Sequence, residues 1–133
     1  MSYGLTIRLA EPMTPTVVER VRSALREQGF GVLTEIDLRT TMRDKLDVEV
    51  EDYIILGACN PTLALQALDA DREIGLLLPC NVVIRSIGAE ATMVQALDPQ
   101  VMVGVAGRPE LQPVADAATT RLRTALSALT TDQ

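Results

Sequence analysis

The chain has 133 residues, no histidine, and 12 basic against 18 acidic side chains, which gives a formal net charge of −6. Without histidine the chain cannot form a Ser-His-Asp triad, a Cys-His dyad or a histidine-ligated zinc or haem site. Nucleic-acid binding requires a basic surface and stacking rings, whereas aromatic residues make up only 2% of this sequence. Composition therefore excludes histidine-based catalysis within the chain and argues against nucleic acid as a partner.

The length fits a single domain over residues 1–133, because domains usually contain roughly 100–150 residues. The N-terminus lacks the basic start and apolar core of a signal peptide, and no apolar run is long enough to span a membrane. Cys59 and Cys80 are the only cysteines, and two cysteines in a chain without a leader are typically reduced. We therefore expect a cytoplasmic protein with no membrane partner.

The first half of the chain alternates strand and helix signals. Residues 5–9 alternate apolar and polar side chains, which predicts a strand. Thr14-Pro15 predicts a helix start, with threonine as the N-cap and proline at the first helical position, and Gly29 predicts the end of that helix. A second strand follows over residues 32–37, and Asp37 is the expected N-cap of a short second helix.

The second half contains three further strands and two further helices. Residues 53–59 predict a buried strand, and Asn60-Pro61 predicts the start of a helix that continues to about residue 70. Residues 75–79 indicate an apolar loop or short strand, residues 82–86 and 91–96 a β-hairpin, and Asp98-Pro99 a turn. A long helix begins near Glu110.

The resulting order is β-α-β-α-β-α-β-β-α. Because strands and helices are mixed and one hairpin requires antiparallel pairing, we predict an α+β two-layer sandwich. Its sheet should be mainly antiparallel, with the helices packed on one face.

Two Cys-Asn pairs, Cys59-Asn60 and Cys80-Asn81, are the first candidates for chemistry. Cys59 directly precedes a predicted helix N-terminus, whose partial positive charge favours a thiolate or a bound anion. Alternatively, both thiols behave as small buried hydrophobes and Asn60 is a helix cap. A disulfide requires Cα atoms within about 7 Å of each other, which the sequence does not decide.

Two carboxylates, Glu35 and Asp37, are the second candidates. Separated by two positions in an extended strand, they point to the same face of the sheet. Such a pair can bind a divalent cation or share a proton. Alternatively, Glu35 is solvated and Asp37 caps the following helix.

Three blocks in order resemble the family called domain of unknown function three-hundred-and-two. They are GFGVLTEID from Gly29, ILGACNP from Ile55 and IGLLLPCNVV from Ile74. Asp98-Pro99 also occurs where that family usually has it, so that the resemblance covers nearly the whole chain. It implies an α+β fold with an antiparallel sheet, commonly a homodimer, and no established enzymatic activity or catalytic residues.

The sequence leaves three hypotheses about function. The first is a non-enzymatic homodimer that holds a small ligand or partner near Cys59-Asn60 and Cys80-Asn81, without a cofactor or metal. Apolar residues surround a few polar groups in these stretches, and ligand pockets are usually built in this way. The second is a thiol-dependent redox or sulfur-transfer protein, with Cys59 as nucleophile and Cys80 as resolving thiol. The third is a metal site that combines Glu35, Asp37 and a cysteine.

Overall fold

Five strands form one antiparallel sheet in the computed structural model. The model describes residues 3–131, so residues 1–2 and 132–133 of the predicted domain lie outside the described residues. The strand order is β1-β5-β4-β3-β2, and every neighbouring pair is antiparallel. The strands are β1 (Gly4–Leu9), β2 (Gly31–Asp37), β3 (Tyr53–Cys59), β4 (Cys80–Ser86) and β5 (Thr92–Leu97). The structure confirms the predicted α+β class and the mainly antiparallel sheet.

The helices follow the predicted order, with one short helix added. They are α1 (Pro15–Glu27), α2 (Leu38–Leu46), α3 (Pro61–Ala70), α4 (Gln100–Ala106) and α5 (Gln112–Thr131), with 3₁₀ segments at Arg72–Leu77 and Pro109–Leu111. The turn predicted at Asp98-Pro99 leads directly into α4. The segment predicted as an apolar loop or short strand is instead largely the first 3₁₀ segment. Among residues 3–131, no helix has the length and apolar character needed to cross a membrane.

One face of the sheet, here called the inner face, packs against α1 and α5. Strand alternation brings Leu56, Ile84 and Val94 to this face, where all three are fully buried. Helix α1 contributes its predicted apolar stripe, and α5 contributes residues spaced three and four apart. We call this cluster the main core; its helical members are Val17, Val18, Val21, Leu25, Leu122, Ala125, Leu126 and Leu129.

A second, smaller hydrophobic cluster lies beside the main core. It consists of Ala67, Ile74, Met102, Leu111 and Val114 and is here called the satellite core. Its members come from α3, α4, both 3₁₀ segments and the beginning of α5. The apolar interior is therefore divided in two, and α5 contributes to both parts.

The opposite, outer face of the sheet carries the intervening strand residues. Tyr53, Ile55, Val83 and Met93 are only half-buried there, and Ile36 is 46% exposed. The cross-strand register places Ile36, Ile55 and Val83 side by side on three adjacent strands. The outer face therefore has an apolar centre.

Gly29 ends α1 in the left-handed conformation. Its φ is +84°, its N–H donates to the carbonyl of Arg26, and the N–H of Phe30 donates to the carbonyl of Leu25. These two bonds form a Schellman motif, which satisfies carbonyls that the helix end leaves unpaired. A Cβ at Gly29 would lie 2.9 Å from Nδ2 of Asn60. Gly29 is therefore required both by the turn and by the packing of Asn60.

Replacing Gly29 with alanine should destabilise the fold by more than the roughly 1–2 kcal/mol of left-handed strain alone. Gly88→Ala is a control for that strain, because Gly88 has φ of +99° but open space at its Cβ position. Gly75→Ala controls for the added methyl group, since Gly75 has neither a positive φ nor a neighbouring atom within 4 Å of its Cβ position. Urea unfolding should rank the losses as Gly29, then Gly88, then Gly75. An equal loss for the first two variants would contradict the role of the Asn60 contact.

Candidate functional site

Asn60 joins the end of β3 to the start of α3. Its Oδ1 accepts a hydrogen bond from the N–H of Leu63 at 3.2 Å, and Pro61 occupies the first helical position. The side chain is the predicted N-cap, and the residue is only 8% exposed. A Cβ at Gly29 would lie 2.9 Å from the amide nitrogen of the Asn60 side chain, so the start of α3 lies close to the turn that ends α1.

Cys80 begins β4 and is partly buried against the main core. Burial raises the pKa of the Cys80 thiol from 9.0 to about 11. The thiol also donates a hydrogen bond to the Leu97 carbonyl over an Sγ–O distance of 3.8 Å. Cys80 is therefore a protonated, hydrogen-bonded thiol at neutral pH.

The two cysteines lie on adjacent strands but on opposite faces of the sheet. Cys80 pairs with Ala58, which belongs to the main core, so that both side chains point to the inner face. Cys59 follows Ala58 along the strand and therefore points to the outer face. Both thiols are free. This arrangement gives no support to a resolving role for Cys80.

Asn81 lies apart from Cys80 and Asn60. It is exposed, and it pairs with Gly57 on the outer face of the sheet. Gly57 and Cys59 alternate along β3, so Asn81 and Cys59 occupy neighbouring positions on that face. The two predicted Cys-Asn pairs therefore do not bring all four side chains together.

Glu35 and Asp37 share one face of β2, as their spacing predicts, but each has its own partner. Glu35 pairs with Leu56 and Asp37 with Ile54, which are inner-face positions of β3. The Glu35 carboxylate forms an ion pair with Arg22 of α1. Asp37 accepts a hydrogen bond from the N–H of Thr40 at 3.0 Å and caps α2 as predicted.

A metal site of the kind considered from the sequence has no counterpart in the part of the chain that the structure describes. Within residues 3–131, no group of three or more cysteine, aspartate or glutamate side chains lies in an arrangement that could hold a metal ion. Glu35 and Asp37 are also separated from Cys80 by strand β3.

A small apolar cavity lies between the main core and the satellite core. Its volume is about 50 Å³, and it opens partly to the surface. Three predicted site residues border it, Cys59, Asn60 and Cys80, whereas Asn81, Glu35 and Asp37 do not. Cys59 borders the cavity at the end of β3, although strand alternation turns its side chain toward the outer face. The other lining residues include members of both cores and are Phe30, Ala58, Leu63, Ala64, Ala67, Leu77, Leu78, Leu97, Pro99, Met102, Val114, Ala118 and Leu122.

Most of the cavity wall could not be identified from the sequence. Leu77, Met102 and Ala118 lie in apolar helical segments, and such patterns are typical of core packing. The alanines of α3 and α5 are the only residues in these helices that hint at unfilled space, because a small side chain leaves a gap where larger neighbours meet. The alanines can be interpreted as cavity-lining residues only when it is known which helices are adjacent.

A larger and more polar cleft lies between the start of α1 and the edge of the sheet. Its volume is about 440 Å³, and its charged lining residues are Glu19, Arg22, Glu35 and Asp52. All three carboxylates have an arginine partner: Glu35 pairs with Arg22, Asp52 with Arg39 at 3.1 Å, and Glu19 with Arg26 at 3.5 Å. Each carboxylate that lines the cleft is therefore already ion-paired.

Comparisons with known proteins agree on one family. A family described as domain of unknown function DUF302 matches residues 7–129. The chain is also similar to the crystal structure of an uncharacterized conserved DUF302 protein from Bacillus stearothermophilus, with a TM-score of 0.87 and 26% sequence identity over 96% of this chain and 98% of that one. A search of curated proteins finds no match.

The raised pKa of Cys80 predicts a loss of stability at alkaline pH. Between the ordinary thiol value of 9.0 and the folded value of about 11, the folded state binds more protons than the unfolded state. The free energy of unfolding should therefore fall as pH rises through this interval, while the contribution is fully present below 9.0.

Urea unfolding of the wild type and Cys80→Ala at several pH values between 8 and about 10.5 isolates this effect. The two proteins differ only at residue 80, so the difference in their free energies of unfolding reports on the Cys80 thiol. The wild-type advantage should shrink as pH rises. A difference that does not change with pH would show that the Cys80 thiol has an ordinary pKa.

Proposed function

The chain belongs to the DUF302 family, and we propose that it is a non-enzymatic binding domain, acting as a homodimer, that holds a small ligand or partner at the cavity beside Cys59, Asn60 and Cys80. The observation that carries this proposal is the apolar, partly open cavity at the ends of β3 and β4. A concave apolar wall with a few fixed polar groups is typical of a ligand site.

Most of the polar side chains considered as candidates for chemistry already have partners within the protein, which supports a binding role over a catalytic one. Cys80 is a protonated thiol at neutral pH, and Asn60 and Asp37 cap helices. Glu35 is engaged by Arg22. A thiol-dependent reaction requires an accessible thiolate and, for exchange, a second thiol within reach. Cys59 has no such second thiol on its face of the sheet among residues 3–131.

The outer face of the sheet supports the homodimer. Ile36, Ile55 and Val83 form an apolar row across three strands, and in the next row Tyr53 and Met93 lie on either side of Arg85. Apolar patches of this kind are typical of surfaces that another protein covers. A second copy packed face to face would bury these side chains, as in sheet-on-sheet packing.

Ligand binding at the cavity is tested by a thermal-shift screen followed by methyl NMR. A ligand that raises the melting temperature should shift the methyl signals of Leu63, Leu77 and Met102, because these residues line the cavity. The methyl signals of Leu5 and Ala96, which lie elsewhere in the main core, should stay in place. Stabilising compounds that leave the cavity methyls unchanged would contradict the assignment of the site.

Dimer formation is tested by native mass spectrometry and size-exclusion chromatography of the wild type and Ile55→Lys. We expect a wild-type dimer and an Ile55→Lys monomer, since a lysine at the centre of a buried apolar face leaves an unpaired charge. Leu65→Lys is the matched control, because Leu65 is 58% exposed on α3, outside the sheet. Circular dichroism checks that each variant is folded. A monomeric wild type, or a dimer that survives Ile55→Lys, would contradict this part of the proposal.

A further inference from the structure

The chemistry and size of the cavity point to its ligand class. We propose that it takes the end of an unbranched hydrocarbon chain, so that the first few carbons enter the cavity and the remainder of the ligand stays outside. This inference rests on the proposed function, because it names the kind of ligand that the same cavity would hold.

The walls offer a ligand no charge and little hydrogen bonding. None of the sixteen lining residues is aspartate, glutamate, lysine or arginine. The Oδ1 atom of Asn60 accepts from Leu63, and the thiol of Cys80 donates to Leu97. Burying a polar group that finds no partner is unfavourable, so a polar ligand group is disfavoured along most of this wall. An apolar group meets no such penalty.

The volume limits how much of a ligand can enter. The cavity offers about 50 Å³, which is roughly a third of the 150 Å³ in an engineered apolar cavity that binds benzene. It is far smaller than a pocket that encloses a whole drug-sized molecule, which has a volume of roughly 300–1,000 Å³. An unbranched chain end has the smallest cross-section of any hydrocarbon group. The cavity is therefore matched to a few methylene groups and excludes rings and branches.

The exposure of the lining residues indicates how a chain would enter. Phe30, Ala58 and Leu122 are fully buried and belong to the main core, which places the deep end there. Leu63 and Leu77 are half-buried and pack against the satellite core, on the side nearer to solvent. A chain entering past these leucines separates the two cores slightly without breaking the sheet. The small side chains of Ala64, Ala67 and Ala118 leave the space that it occupies.

The test is a binding series of 1-alkanols from 1-propanol to 1-octanol, followed by methyl NMR on the wild type. Each methylene that enters the cavity adds about 0.8 kcal/mol, which is about a fourfold gain in affinity. We expect this gain over the first members of the series and then a plateau, with shifts at the Leu63, Leu77 and Met102 methyls. The branched alcohol tert-butanol should bind at least tenfold more weakly than 1-butanol.

Ala118→Leu fills the cavity and should weaken binding of the tightest 1-alkanol at least tenfold. Ala117→Leu is the matched control, because Ala117 is also half-buried on α5 but does not line the cavity. Ala64→Val provides a second filling variant on α3, should Ala118→Leu fail to fold. Alkanol binding that is unchanged by the filling variants would overturn the inference.

The failures of the two proposals are distinguishable. If a polar or charged compound from the thermal-shift screen shifts the cavity methyls and no alkanol does, the hydrocarbon class is wrong and the binding site stands. If neither alkanols nor any compound in the screen shift these methyls, both the ligand class and the ligand site are wrong.

Discussion

The start of α3 at Asn60 is the constraint on which the arrangement of this domain depends. The Asn60 side chain accepts a hydrogen bond from the N–H of Leu63 and packs against the left-handed turn at Gly29. One residue thus couples the end of β3, the first turn of α3 and the end of α1. A cap of this kind is worth about 1 kcal/mol to a helix. Here the capping residue is also the one that joins β3 to α3.

The apolar interior is divided in two. Helices α1 and α5 cover the inner face of the sheet and complete the main core, whereas α3 and α4 meet the beginning of α5 in the satellite core. Protein interiors are normally packed without voids, yet a small cavity separates these two clusters. Because its walls include members of both clusters, we expect that movement between them can widen the cavity.

The elements of the fold follow from local sequence signals. Thr14, Asp37 and Asn60 were each predicted as N-caps from their position before a helical pattern, and each accepts a hydrogen bond at its helix start. These bonds form within three residues, so the sequence alone is sufficient. Helix α4 was missed because it is only seven residues long and Pro99 at its start makes no side-chain cap.

The site was predictable only in part, because its geometry depends on long-range register. The motif blocks contain Cys59, Asn60 and Cys80, and all three border the cavity. The opposite orientation of the two cysteines depends on Cys80 pairing with Ala58, and no local pattern specifies that pairing. The partners of Glu35 and the contributions of Met102 and Ala118 to the cavity likewise require knowledge of which helices meet.

Native-state hydrogen exchange tests most directly whether the two cores are separate packing units. The account predicts that amides of α3 exchange through a partial opening, with a free energy clearly below that of β3, β4 and the second half of α5. Those strands and that part of α5 should open only with global unfolding. If α3 and the central strands exchange with the same free energy, the interior is a single unit and the cavity cannot widen by movement between two cores.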